Sequence, residues 1–453
     1  MNNLAKEGAK DIKDIFSKIK KRDYRGNSGQ AIKNSGYQVA ITTIAKIGSL
    51  FFTILIARLM MPEIYGLYGL ALSTILFLGV FSDMGISTAL NTFLSKNIDN
   101  FPGKAKGYLR YLTKWRVVLS AISVLLVIGL SKWLSTTYYQ KPIYYALLAG
   151  TIYLPLVISQ SHLNQIFTST NNFRPLLVSE IIFQLLRLTL IPLLIIIFLS
   201  KIVSLDIYLL WVFLAVAICY FITIVYTISR VRKNNPFNSA KTETLSNNEK
   251  KDLGKFILPL TATALSGVFF SYIDQFMLGH YVESAFLGFY QASFNLAISA
   301  ASIMAFSSIA VFPILARLKG ATLERGFRKI KYITFIISAA AGIFTFLLAP
   351  FIIKIVYGSM YLPSTVYLQV LSLLIISFPL IAVYTTYYTS QKKTKIISII
   401  LIASTLINIT LNYFFITYGL TFGMTQAVLG ACIATIISRY FYLMMLIIFK
   451  NKN

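Results

Sequence analysis

The sequence predicts an all-α polytopic membrane protein, with twelve transmembrane helices in two six-helix halves related by a pseudo-two-fold axis along the membrane normal. Three observations predict it: twelve long apolar runs, basic charge in every second gap between them, and a repeat offset by about 222 positions. The runs lie near 36–58, 64–83, 112–134, 143–167, 176–199, 207–229, 256–279, 285–312, 331–353, 363–389, 396–417 and 424–449. About twenty apolar residues rising 1.5 Å each cross a hydrocarbon core of about 30 Å. Of the 42 Lys and Arg, Arg58, Lys132, Lys141, Lys201 and Lys354 fall on one side of the runs, and Lys46, Arg187 and Arg439 lie inside them. All the others collect on the opposite side. Short basic loops stay in the cytoplasm. The expected location is therefore the cell (plasma or inner) membrane, with both termini cytoplasmic.

The elements follow in order. A basic arm, 1–35, precedes the first half, 36–229. Residues 4–25 predict an amphipathic helix on the inner leaflet, with Leu4, Ile12, Ile15, Phe16 and Ile19 on one side; a disordered basic tail is the alternative. No cleavable signal peptide is expected, because the first apolar run starts near 36 and is of full length. Residues 230–255 (RVRKNNPFNSAKTETLSNNEKKDLGK) read as a polar cytoplasmic linker, 256–449 as the second half and 450–453 as a cytoplasmic tail. The halves look duplicated: Glu63 precedes Gly66-Leu67-Tyr68, and Glu283 precedes Gly288-Phe289-Tyr290. Thr168-Ser169 after the fourth run is matched by Thr389-Ser390 after the tenth. An even number of spans per half keeps both halves in one orientation, which suits alternating access by rocking about a central cavity. Pro155, Pro192, Pro259, Pro313, Pro350 and Pro379 permit bends, and Gly66, Gly69, Gly79 and Gly85 permit close helix approach.

Composition narrows the function. The chain is 57% hydrophobic and carries a formal charge of +27, with a mean hydropathy of +0.71. Because the cations punctuate membrane spans, anionic lipid headgroups are their expected partners, and no nucleic acid is expected. Cys219 and Cys432 are far apart inside apolar runs and read as small core residues. The sequence has no GxxxxGK[ST] loop, no metal-spaced His or Cys cluster and no nucleophile elbow. The outer gaps, such as 59–63, 135–142 and 280–284, are too short to hold a catalytic domain. Neither a cofactor nor an enzymatic activity is expected.

Ionisable groups inside the runs need a protein or water partner, so each is a candidate functional residue. Glu180 and Arg187 are two helical turns apart on one face, with Gln184 between them. Lys46, Arg187 and Arg439 are the candidates for meeting an anionic substrate, since Lys and Arg suit phosphate. Asp274, Glu180 and Asp83 are the candidates for coupling an ion. The same residues also fit internal ion pairs, headgroup contacts near helix ends or, for Asp274, a helix cap. His162 lies in the fourth run without a supporting motif, and Tyr272 and Tyr290 are candidates for lining a sugar-binding cavity.

The segment Ala57-Arg58-Leu59-Met60-Met61-Pro62-Glu63-Ile64-Tyr65-Gly66-Leu67-Tyr68-Gly69-Leu70-Ala71 resembles the signature after the first span of Wzx-type polysaccharide flippases. Asp83-Met84-Gly85-Ile86, the Asn171-Asn172-Phe173-Arg174 turn and Asp274 in the seventh run are similar to further stretches of that family. Its superfamily also holds multidrug exporters and lipid II flippases. The resemblance implies translocation of a polyprenyl-pyrophosphate-linked oligosaccharide to the outer leaflet for surface polysaccharide (O-antigen, capsule or exopolysaccharide) synthesis. Polysaccharide polymerase or ligase machinery would be its neighbour in such a pathway. A multidrug exporter of the same fold and a membrane-bound glycan polymerase or ligase are the alternatives.

Overall fold

The computed structural model describes residues 26–199, 204–233, 241–317, 320–391 and 393–451. The predicted amphipathic helix over 4–25 lies outside these. The protein is a multi-pass membrane protein built from helices: α1 Gly26–Leu59, α2 Pro62–Gly79, α3 Ile86–Asn97, α4 Pro102–Trp133, α5 Tyr144–Ser169, α6 Phe173–Leu199, α7 Leu205–Lys233, α8 Asn247–Tyr281, α9 Ser284–Arg317, α10 Gly320–Val356, α11 Thr365–Leu371, α12 Leu374–Ser390, α13 Thr394–Leu420 and α14 Met424–Asn451. Among the described residues ten helices are long and apolar enough to cross a bilayer, or up to eleven if α11 and α12, with the short turn before them, form one bent span. The 34-residue α9 occupies the eighth expected position.

The helix pairings of the first half recur in the second. α1 packs on α6 as α8 packs on α13, α6 on α7 as α13 on α14, and α5 on α7 as α11 and α12 on α14. The two halves meet where α2 crosses α9. That crossing joins the two copies of the repeated motif: a Cβ on Gly66 would overlap the Ser284 carbonyl, and one on Gly288 would overlap that of Pro62. Only glycine lets these backbones touch. Further ties cluster at the same end of the bundle, away from the basic loops. Arg58 donates to the carbonyls of Val356 and Ile355, Tyr361 Oη to Ala57 O at 2.9 Å, and Asn295 Nδ2 to Tyr65 Oη at 2.9 Å. Lys141 Nζ donates to Gly279 O at 2.7 Å, and burial holds its ammonium below the usual lysine range.

Three features depart from an even row of spans. The amphipathic α3, too polar to cross a bilayer, lies between the second and third spans. The tenth span is broken: α11 and α12 bend by 45° at Ser372–Leu373. There the Ser372 hydroxyl bonds to Gln369 O at 2.7 Å, and short-range backbone bonds replace the regular ladder. The linker is also shorter and better anchored than its polarity suggests. α7 continues to Lys233 and α8 begins at Asn247, where Ser246 and Glu249 form a reciprocal capping box. Residues 241–246 lie along α4, with Glu243 N donating to Gly103 O at 3.2 Å and Leu245 buried in a cluster with Leu90, Tyr108 and Leu253.

Candidate functional site

In the first half α6 carries Glu180, Gln184 and Arg187 at i, i+4 and i+7, so the helix presents all three on one face. They border a cavity of about 390 Å³, together with Ser49 of α1, Gln160 and Asn164 of α5 and Tyr220 of α7. Gln184 bridges the two charges: its Nε2 donates to Glu180 Oε1 at 2.6 Å, and its Oε1 accepts from Arg187 at 2.7 Å. Gly48 leaves room for this amide, since a Cβ there would collide with the Gln184 side chain. Arg187 also donates to Ser49 Oγ at 3.1 Å and lies over the Phe52 ring, 4.3 Å from its centroid. Its buried Nε has no hydrogen-bond partner. A guanidinium held by neutral groups and rings, with a free donor beside a polar cavity, is suited to an anionic oxygen.

The second half builds a different centre on α8, α13 and α14. Asp274 is 3% exposed. Its Oδ2 accepts from Tyr290 Oη at 2.9 Å and Thr435 Oγ1 at 2.5 Å, and its Oδ1 from Asn412 Nδ2 at 2.6 Å. Asn412 lies one turn after Asn408 on α13, and the Oδ1 atoms of both are buried and unpartnered. One carboxylate among neutral oxygens is a donor set for a proton or a hard monovalent cation. Among the described residues no group of three or more His, Cys, Asp or Glu could hold a metal ion. One turn beyond Thr435, Arg439 donates to Phe270 O at 2.9 Å and lies over the Phe270 and Phe378 rings. It is not ion-paired to Asp274, and its Nε is likewise unpartnered.

The other candidates are scattered. Lys46 is exposed and does not line the cavity, although its neighbours Ala45 and Ser49 do. Asp83 accepts from the Ser87 backbone and hydroxyl at the start of α3 and pairs with Arg116 at 3.3 Å. Arg116, assigned by sequence to a basic loop, is 4% exposed and also donates to Ser87 Oγ. His162 Nε2 sits 2.8 Å from Thr113 Oγ1. Tyr272 is half-buried, whereas Tyr290 is buried and engaged with Asp274. Sequence reasoning missed Asn408, Asn412 and Thr435. The one available signal was that two Asn four residues apart share a face of an otherwise apolar helix.

Comparison with known proteins supplies the family. Residues 31–319, more than half of the chain, match the family described as polysaccharide biosynthesis protein. The chain belongs to that family. Residues 259–414 also match the family described as MatE. No curated protein sequence matches this family member closely. Among solved structures it is similar to "Lipid II flippase MurJ, inward closed conformation", with 16% identity, a TM-score of 0.69, and coverage of 90% of this chain and 86% of that one. It is also similar to a multidrug resistance MATE family transporter of the MOP superfamily in an inward-facing conformation, with 14% identity, a TM-score of 0.62, and coverage of 92% and 99%. A MOP superfamily transporter from Pyrococcus furiosus matches at 13% identity, a TM-score of 0.54, and coverage of 94% and 96%. The chain thus shares the fold of these flippase and transporter structures, with the two-half architecture that the sequence predicts.

Proposed function

We propose that this member of the polysaccharide biosynthesis protein family is a flippase. It moves a polyprenyl-pyrophosphate-linked oligosaccharide from the cytoplasmic to the outer leaflet of the cell membrane. The observation that carries the reading is Arg187: a guanidinium inside the bilayer, unpaired by any carboxylate among the described residues, with its Nε–H free beside a polar cavity. A lipid-linked glycan has an anionic, hydrated head that hydrocarbon rejects and a tail that never leaves the lipid. Arg187, oriented by Gln184, meets the pyrophosphate, Gln160 and Asn164 across the cavity meet sugar hydroxyls, and the polyprenyl chain stays in the bilayer. The halves, pinned by glycine contact at one end, rock about that crossing. Asp274 with the oxygens of Asn408, Asn412 and Thr435 takes a proton or sodium ion whose downhill movement drives the cycle. Arg439, one turn away, competes with that cation by charge and so links occupancy to conformation.

The Asp274 centre and the MatE match over 259–414 favour one second reading, export of cationic drugs through the same fold. Reconstitution into liposomes separates the two. Purified protein with a fluorescent lipid-pyrophosphate oligosaccharide should make the head accessible on the opposite leaflet, faster under an imposed proton or sodium gradient. Transport of an organic cation with no glycolipid transfer would overturn the flippase reading.

A further inference from the structure

A second amphiphile-sized crevice lies at the basic end of the bundle, between α4 of the first half and α8 of the second. It consists of two adjoining cavities that share Tyr111 and Lys250. One of about 310 Å³ is lined by Met84, Ile86, Leu112, Trp115, Leu253 and Ile257, among others. The other, of about 490 Å³, is bordered by Arg110, Lys114, Lys250 and Glu243. α4 and α8 run in the same direction, and both change character along their length in the same sense. Arg110, Lys114 and Lys250 come first, towards the basic end, and Trp115, Leu119, Leu253 and Ile257 follow deeper. Helices of 32 and 35 residues are longer than a hydrocarbon core requires, so their first turns reach headgroup level. Three cations against one carboxylate at the mouth and an apolar floor below match a molecule with an anionic head and a hydrocarbon tail.

We propose that this crevice binds an anionic phospholipid of the surrounding leaflet. Its phosphate lies among Arg110, Lys114 and Lys250, and an acyl chain lies against Trp115 and Ile257. The crevice shares no residue with the Arg187 cavity and opens beside the exposed, lipid-facing Trp115, Val117 and Val118, so its occupant is a resident lipid. The bound lipid bridges the two halves at the end where the linker is anchored. The inference does not depend on which substrate is carried.

The sequence offers a probe. It has three tryptophans, and Trp133 and Trp211 lie towards the opposite end of the bundle. In a Trp133→Phe/Trp211→Phe protein, emission reports the crevice alone. Reconstituted in phosphatidylcholine, Trp115 should be quenched by chain-brominated phosphatidylglycerol at lower mole fraction than by added chain-brominated phosphatidylcholine. Adding Arg110→Gln/Lys114→Gln/Lys250→Gln should raise the half-quenching mole fraction of the anionic lipid by about tenfold or more, each cation near an anionic lipid contributing roughly fivefold. The exposed Arg325→Gln/Lys329→Gln/Lys395→Gln set, which removes the same charge elsewhere on the basic face, should shift it less than about twofold. Equal quenching by both lipids, or equal effects of both triple variants, would overturn the proposal. Relief of quenching by equimolar undecaprenyl phosphate would overturn it in favour of the transported substrate as occupant.

Discussion

Around Arg187 the first half holds a cation; in the second half the corresponding helices surround Asp274, a carboxylate. The scaffolds correspond, α1 on α6 matching α8 on α13, yet the position about 221 residues after Arg187 is Asn408, an uncharged member of the Asp274 group. In one half the charge is placed beside an open polar cavity; in the other it is buried and ringed by three donors. Duplication supplied the frame, and divergence at a few positions gave one half an anion-seeking group and the other a cation-seeking group. Under the proposed function, the first would meet the anionic head of the substrate and the second the coupling cation.

The comparison breaks first at Arg187. Arg187→Ala should leave membrane insertion intact and reduce glycolipid transfer in liposomes by about 10- to 100-fold, the worth of one or two charged hydrogen bonds to phosphate. Arg187→Lys should recover part of it, since the charge stays but the planar fork is lost. Unchanged transfer by the alanine variant would remove the cavity from the transport path. In the other half, Asp274→Asn keeps the shape but not the charge. Gradient stimulation should vanish, while transfer without a gradient should fall less than about tenfold. A variant still stimulated by either a proton or a sodium gradient would relieve Asp274 of coupling.

The charged centres were legible because a charge inside an apolar run is costly and therefore conspicuous: Arg187, Glu180, Asp274 and Arg439 stand out in sequence. Their partners were not. Asn408, Asn412 and Thr435 are neutral polar residues of a kind that helices often satisfy on their own backbone, and only tertiary packing brings them to Asp274. Arg116 was hidden differently. It lies near the start of the third apolar run and was counted with the basic loop before that run, so a buried cation paired with Asp83 read as a surface one. The repeat, by contrast, marked the crossing of α2 and α9, because the glycines that let two backbones touch recur at the same offset.

A finer test addresses the bridge between the two charges of the first half. Gln184→Leu removes the amide that joins Glu180 to Arg187 while filling similar space beside Gly48. Arg187 should then swing more freely, and apparent glycolipid affinity should weaken about threefold with little change in maximal rate, as expected for loss of orientation rather than charge. An effect equal to that of Arg187→Ala would mean that the amide itself touches substrate.

The smallest effect is expected at Lys46, which separates charge inside the membrane from charge inside the cavity. Lys46 shares α1 with Ser49 and Phe52, the residues that hold Arg187, but it is exposed and does not line the cavity. A lysine there can extend its ammonium along the helix to water or headgroups without touching the cavity. Lys46→Ala should therefore change transfer less than about twofold, in keeping with exposed charges whose pairings are worth little. A loss approaching that of Arg187→Ala would require α1 to turn Lys46 inward during the cycle, and cysteine labelling at position 46 in the presence of substrate would then show protection.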